Sequence, residues 1–102
     1  PEARLAGLHA ALDEAVRLDR DDRDADARHA WRRAHLWFER DVEPALRAHR
    51  PAREVAAFEY RFGQARTEID LARGRPGPLV ESLLADLQET VAALPPPGAD
   101  AQ

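Results

Sequence analysis

Two histidine-carboxylate pairs carry the spacing from which a helix can build a metal site. His9 is followed four residues on by Asp13, within LAGLHAALDEAV, and His35 by Glu39, within HLWFERDVEPAL. At about 100° per residue, positions i and i+4 stack on one helix face. Each pair thus offers an imidazole and a carboxylate to one side, a donor set that suits iron, manganese or zinc. His9 projects between Leu5, Leu12 and Val16, and His35 between Trp31, Phe38 and Val42, so both fall in core-facing sectors. The same spacing has a second use: the carboxylate accepts a hydrogen bond from a partly buried imidazole and satisfies it without an ion. Both readings stand on the residues alone.

Other chemistries find no support. The chain has no cysteine, which removes thiol catalysis, disulfides, zinc fingers and thioether-linked haem. Ser82 and Thr67 have no histidine in their segments and no nucleophile-elbow glycines, which argues against a hydrolase. Gly74 and Gly77 punctuate a loop and do not open a helix after a strand, as a phosphate cradle requires. Glu59 and Arg66, seven residues apart near one stripe, read as a polar seam. No enzyme activity is expected.

The elements that position these residues are helices. Leu5, Leu8, Leu12, Ala15 and Val16 form one apolar stripe; Ala27, Trp31, Ala34, Phe38, Val42, Ala45 and Leu46 form a second. Val55, Phe58, Phe62, Ala65, Ile69 and Ala72 form a third, and Val80, Leu83, Leu84, Leu87, Val91 and Leu94 a fourth. No run alternates β-branched with polar residues. The reading is all-α, an up-down-up-down antiparallel four-helix bundle over residues 1–94, because short connectors make successive helices antiparallel neighbours. Its helices are expected at about 2–18, 24–49, 51–73 and 78–94, followed by a flexible tail over 95–102. Pro44 cannot donate to the carbonyl four residues back, so a kink or break is expected near it. Pro51 is placed in a first helical turn, and Gly74 as a C-cap after a cationic last turn.

The 102 residues suffice for one core, and their 44% hydrophobic and 33% charged composition is that of a globular, helix-rich chain. All 15 basic residues are arginine, and the net charge is -4. Arg28, Arg32, Arg33, Arg40, Arg47, Arg50 and Arg53 crowd the middle of the chain, but acidic residues are interleaved with them. That pattern reads as a solvated mixed-charge face, so no nucleic-acid partner is expected. No apolar run approaches the roughly 20 residues that span a bilayer, and no signal-peptide pattern opens the chain. The expected location is the cytoplasm, with an extracytoplasmic one left open. A chain opening at Pro1 reads either as one that lost its initiator methionine or as one trimmed from a longer precursor.

The stretch HLWFERDVEPAL resembles the second helix of hemerythrin-like domains: a histidine, a glutamate four on, and a proline near the helix end. His9 looks like the histidine of that family's first helix. FEYRFGQAR is similar to its third helix, with Tyr60 where a histidine is expected; LQETVAALPP is similar to the end of its fourth, with Glu89 in a ligand-like slot and Ala85 in place of a histidine. The resemblance implies a non-haem iron or oxygen site. Because no histidine follows His49, the site it implies here is depleted: His9, His35 and Glu39, with Asp13 or Glu59, holding iron or manganese. FERDVEPALRAHRP with FEYRFGQARTEIDLARG also looks like the helical extracytoplasmic segment of some bacterial iron permeases.

A competing function needs no cofactor. Leu36, Trp37, Tyr60 and Leu71 lie off the main stripes, as a surface for a second copy or another protein would. On that reading the bundle is an interaction module, a homo-oligomer or an accessory subunit.

Overall fold

The computed structural model describes residues 3–71 and 74–96, and every regular element among them is helical. A 3-10 turn, Ala3–Leu5, leads into α1, Ala6–Arg20. Then α2, Asp24–Trp37, continues through a π-helical stretch, Phe38–Val42, into α3, Glu43–His49; α4 is Ala52–Asp70 and α5 is Pro76–Ala92. The fold is all-α. Glu2 at the expected start of helix one, Ala72 and Arg73 at the expected end of helix three, and 97–102 of the expected tail lie outside the described residues.

The four stripes meet in one core. Leu8, Leu12 and Ala15 of α1 are buried with Trp31 and Ala34 of α2, Phe58, Phe62 and Ile69 of α4, and Leu83, Leu87 and Val91 of α5. Contacts run from α1 to α2, α2 to α4, α4 to α5 and α5 back to α1. The body is 49 Å long and 23 × 18 Å across. Burying a Leu or Phe side chain contributes about 1.5–3 kcal/mol, and no polar or charged residue among those described is fully buried. Polar clusters are therefore confined to the seams between helices.

Local chemistry sets the joints. After α1 the chain turns at Asp22, whose φ of 59° is left-handed. Arg23 N–H donates to Leu18 O at 2.9 Å and Asp22 N–H to Asp19 O at 3.0 Å, the paired bonds of a Schellman end with aspartate in the usual glycine place. Pro44 lacks the N–H that would bond Arg40 O, and its ring would crowd that carbonyl. The chain answers by widening over Phe38–Val42 and continues as helix, with Pro44 in the first turn of α3. Pro51 stands just before α4, as its cap, one step earlier than the sequence places it.

The end of α4 differs from the sequence expectation. The helix stops at Asp70, and Leu71 is already extended. Gly74 is no C-cap. Its N–H donates to Leu71 O at 3.0 Å, and its backbone passes so near Glu68 that a Cβ would stand 1.8 Å from the Glu68 carbonyl oxygen. Glycine is needed there for close approach. Arg75 N–H then donates to Glu68 Oε2 at 2.9 Å, so the end of α4 supplies a partner to the start of α5. At the opposite end Arg4 donates to Val91 O at 3.0 Å and Pro95 O at 3.1 Å, tying the opening 3-10 turn to the end of α5.

Candidate metal centre

His35 lies at the edge of the α2 stripe, about 40° from Trp31 round the axis, and faces α4 across the seam. Its ring stacks on Trp31, with centroids 5.1 Å apart and planes 19° apart, and tilts against Phe62 at 5.4 Å. Trp31 is itself fixed: its Nε1–H donates to Phe62 O at 3.1 Å, a buried bond between α2 and α4. An apolar floor thus sets the plane of the imidazole and leaves its two nitrogens pointing at polar partners.

Both nitrogens meet carboxylates. Nδ1 is 3.2 Å from Glu39 Oε1, one turn on, and Nε2 is 2.9 Å from Glu59 Oε2 of α4. The side chains of His35, Glu59 and Glu39 are 24%, 32% and 49% exposed, so the group opens to solvent on the Glu39 side. One ligand atom from each of the three lies within 4.8 Å of the others, a span that a single ion can bridge. Among the described residues this is the group of histidine and acidic side chains assembled so closely. A neutral imidazole carries one N–H, so one of its two carboxylate contacts lacks a donor unless a second proton or another cation is present.

A third carboxylate joins from α3. Glu43 lies beside Glu59 and accepts from Arg47 Nε at 2.9 Å. Burial and the neighbouring Glu43 carboxyl push the Glu59 carboxyl above the usual carboxylate range, against a lowering by His35. Glu59 and Arg47, opposed by burial, hold Glu43 below it. Glu43 Oε2 is shut away from water with no donor of its own.

The structure does not bring the two histidine-carboxylate pairs together. His9 and Asp13 do contact each other at 3.2 Å, but their side chains are 52% and 65% exposed. They line a groove between α1 and α5 of about 1000 Å³, with Leu5, Val16, Val80 and Leu84. His9 is thus corrected from the core face to the surface. It stands about 100° past Leu8, beyond half-buried Val16, because the buried sector of α1 also includes Ala11 and is centred on Leu8, Leu12 and Ala15. Glu89 and Ala85 are exposed on α5. Arg66 does not pair with Glu59; it lies 5.5 Å from the Trp31 ring and 3.8 Å from Asp70.

Leu36, Tyr60 and Leu71 are exposed, Tyr60 most of all at 69%. Trp37 is different. It packs on α1 so closely that a Cβ at Gly7 would stand 2.7 Å from its ring, while Arg40 lies 5.2 Å from the ring centroid. Sequence reasoning named His35, Glu39 and Glu59, and these are the three whose ligand atoms converge. No family model, curated protein or solved structure matches the chain, and no helix among the described residues is long and apolar enough to cross a membrane.

Proposed function

We propose that this protein is a hemerythrin-like four-helix bundle that holds one divalent metal ion, iron or manganese, at His35, Glu39 and Glu59. Its role is binding or sensing of the ion or of oxygen, without multi-step catalysis. The up-down-up-down antiparallel arrangement is part of this reading, supported by short connectors and the closed ring of contacts among α1, α2, α4 and α5. The observation that carries it is the convergence of three ligand atoms within 4.8 Å, on an imidazole whose two nitrogens both face carboxylates. One nitrogen donor among carboxylate oxygens suits manganese or iron better than a soft metal. The donors fit one ion, not a histidine-rich pair of irons, since α4 and α5 carry no histidine. When bound, the ion would supply Lewis acidity and an open position for a small ligand.

The test is thermal. An ion at about 100 times its Kd stabilises the fold by about 2.7 kcal/mol, a rise in Tm of about 10 °C or more for a domain of this size. Mn(II) should raise the Tm of the native chain and leave that of His35→Ala unchanged. Equal shifts in the two proteins would contradict the reading.

A second reading rests on exposed Leu36, Tyr60 and Leu71, at 58%, 69% and 53%. On it the bundle works without metal, through its surface, as a homo-oligomer or accessory subunit. Molar mass by light scattering, with Tyr60→Glu as the disrupting variant, tests the homo-oligomer; a monomer in both cases removes it.

A further inference from the structure

The groove between α1 and α5 plays no part in the metal centre or in the surface of Leu36, Tyr60 and Leu71. Half-buried Val16 and Leu84 lie in its floor with Leu5 and Val80. Small Gly77 and Ala85 on α5 leave that floor uncovered, and a Cβ at Gly77 would meet Val16 Cγ1 at 3.7 Å, so the two helices touch beneath it. From Leu5 to Arg20 the α1 side runs about 22 Å at about 1.5 Å per residue, the reach of an extended long acyl chain. A volume of about 1000 Å³ is that of a large small-molecule cleft, which is typically apolar with a few polar groups that fix orientation.

The polar groups are unequal along the groove. On α1 they are His9, Asp13, Arg17 and Arg20, one stripe of the helix. His9 and Asp13 satisfy each other at 3.2 Å. Glu14, the other carboxylate within a turn before Arg17, is taken by Arg33 of α2 at 2.9 Å. Both acids that could pair with Arg17 along its own helix are thus held elsewhere, and Arg17 and Arg20 form no ion pair among the described residues. The carboxylate on the α5 rim, Glu81, pairs with neither. Two guanidinium groups against one carboxylate make this end of an apolar groove net positive.

We infer that the groove binds a long-chain carboxylate, with its alkyl chain over Val16 and Leu84 and its head group at Arg17 and Arg20. Guanidinium presents paired N–H donors that match a carboxylate, and each methylene taken from water strengthens binding by up to about fourfold. The site lies in a different seam from His35 and does not depend on a metal there.

The test is an NMR titration of the ¹⁵N-labelled native chain with dodecanoate, with octanoate as the short chain and dodecyltrimethylammonium as the cation of equal length. Dodecanoate should bind one per chain and move the amides of Val16, Leu84 and Ala85. It should bind more tightly than octanoate or the cation by on the order of 10-fold or more. Arg17→Gln combined with Arg20→Gln, at two exposed positions, should abolish the preference for the anion with an unchanged helical circular dichroism spectrum. Absence of saturable binding, equal binding of anion and cation, an unchanged preference in the folded double variant, or shifts that avoid the groove would overturn the assignment. So would a dimer by light scattering that Leu84→Arg converts to monomer, since a second copy would then cover the groove.

Discussion

His35 Nε2 lies 2.9 Å from Glu59 Oε2, across the seam between α2 and α4. The two residues are 24 positions apart in the chain, so the contact is made by tertiary packing. It turns a helical histidine-carboxylate pair into a three-residue cluster. Trp31 and Phe62 hold the imidazole from the apolar side, and the account of the centre depends on that support.

Trp31→Phe tests the support. It removes the Nε1–H donor to Phe62 O and keeps an aromatic ring under His35. The expected loss is about 1 kcal/mol, the net worth of one hydrogen bond, read as a lower urea midpoint with unchanged slope. A loss above about 3 kcal/mol, in the range of a core truncation, would mean that the indole is needed for packing more than for its bond.

Gly7 and Trp37 should be energetically coupled. A Cβ at Gly7 would stand 2.7 Å from the indole, so Gly7→Ala displaces Trp37 and should destabilise by about 1 kcal/mol or more. In a Trp37→Ala background the obstacle is gone, and the same change should stabilise by about 0.5–1 kcal/mol through helix propensity. The double-mutant cycle reads the change of sign; additive effects would contradict the contact.

Asp22 has a left-handed backbone, with a φ of 59°. Glycine adopts that conformation without a Cβ penalty. Asp22→Gly should raise stability by up to about 1 kcal/mol and move the urea midpoint up; a fall would show that the aspartate side chain holds the turn.

Asp19 supplies a pH dependence with a definite sign. Burial first, then the charges of Asp24, Asp22 and Glu68, raise its carboxyl pKa. A raised carboxyl holds its proton more tightly in the folded state than in the unfolded chain. Stability from this group is greatest below the unfolded value and is lost as pH rises through the folded one. At neutral pH the ionised form is a cost, so Asp19→Asn should stabilise, by at most about 0.5 kcal/mol at a surface site. The gain should shrink below about pH 4. A gain that grows on acidification would contradict the sign.

The helices were legible because their apolar residues recur at helical spacing: Leu83, Leu87 and Val91, read as one stripe, are one buried row on α5. Orientation at a stripe edge was harder to read. His9 and His35 look alike in projection, but His35 meets α4 while His9 faces the shallow groove beside α5. Which edge is covered depends on the neighbouring helix, and no single-helix pattern carries that. The place of Glu43 beside Glu59 was hidden for a local reason, since a projection at a constant 100° per residue cannot anticipate the π-helical stretch before Pro44. Gly74 read as a cap because glycine ends many helices; here it makes room for the Glu68 carbonyl.

The most direct measurement is metal stoichiometry, read by elemental mass spectrometry after equilibrium dialysis against Mn(II) and, without oxygen, Fe(II). The account predicts one ion per chain in the native protein and in His9→Ala, and none in folded His35→Ala. A native chain that retains no ion, or a His35→Ala chain that retains as much as the native one, would contradict it.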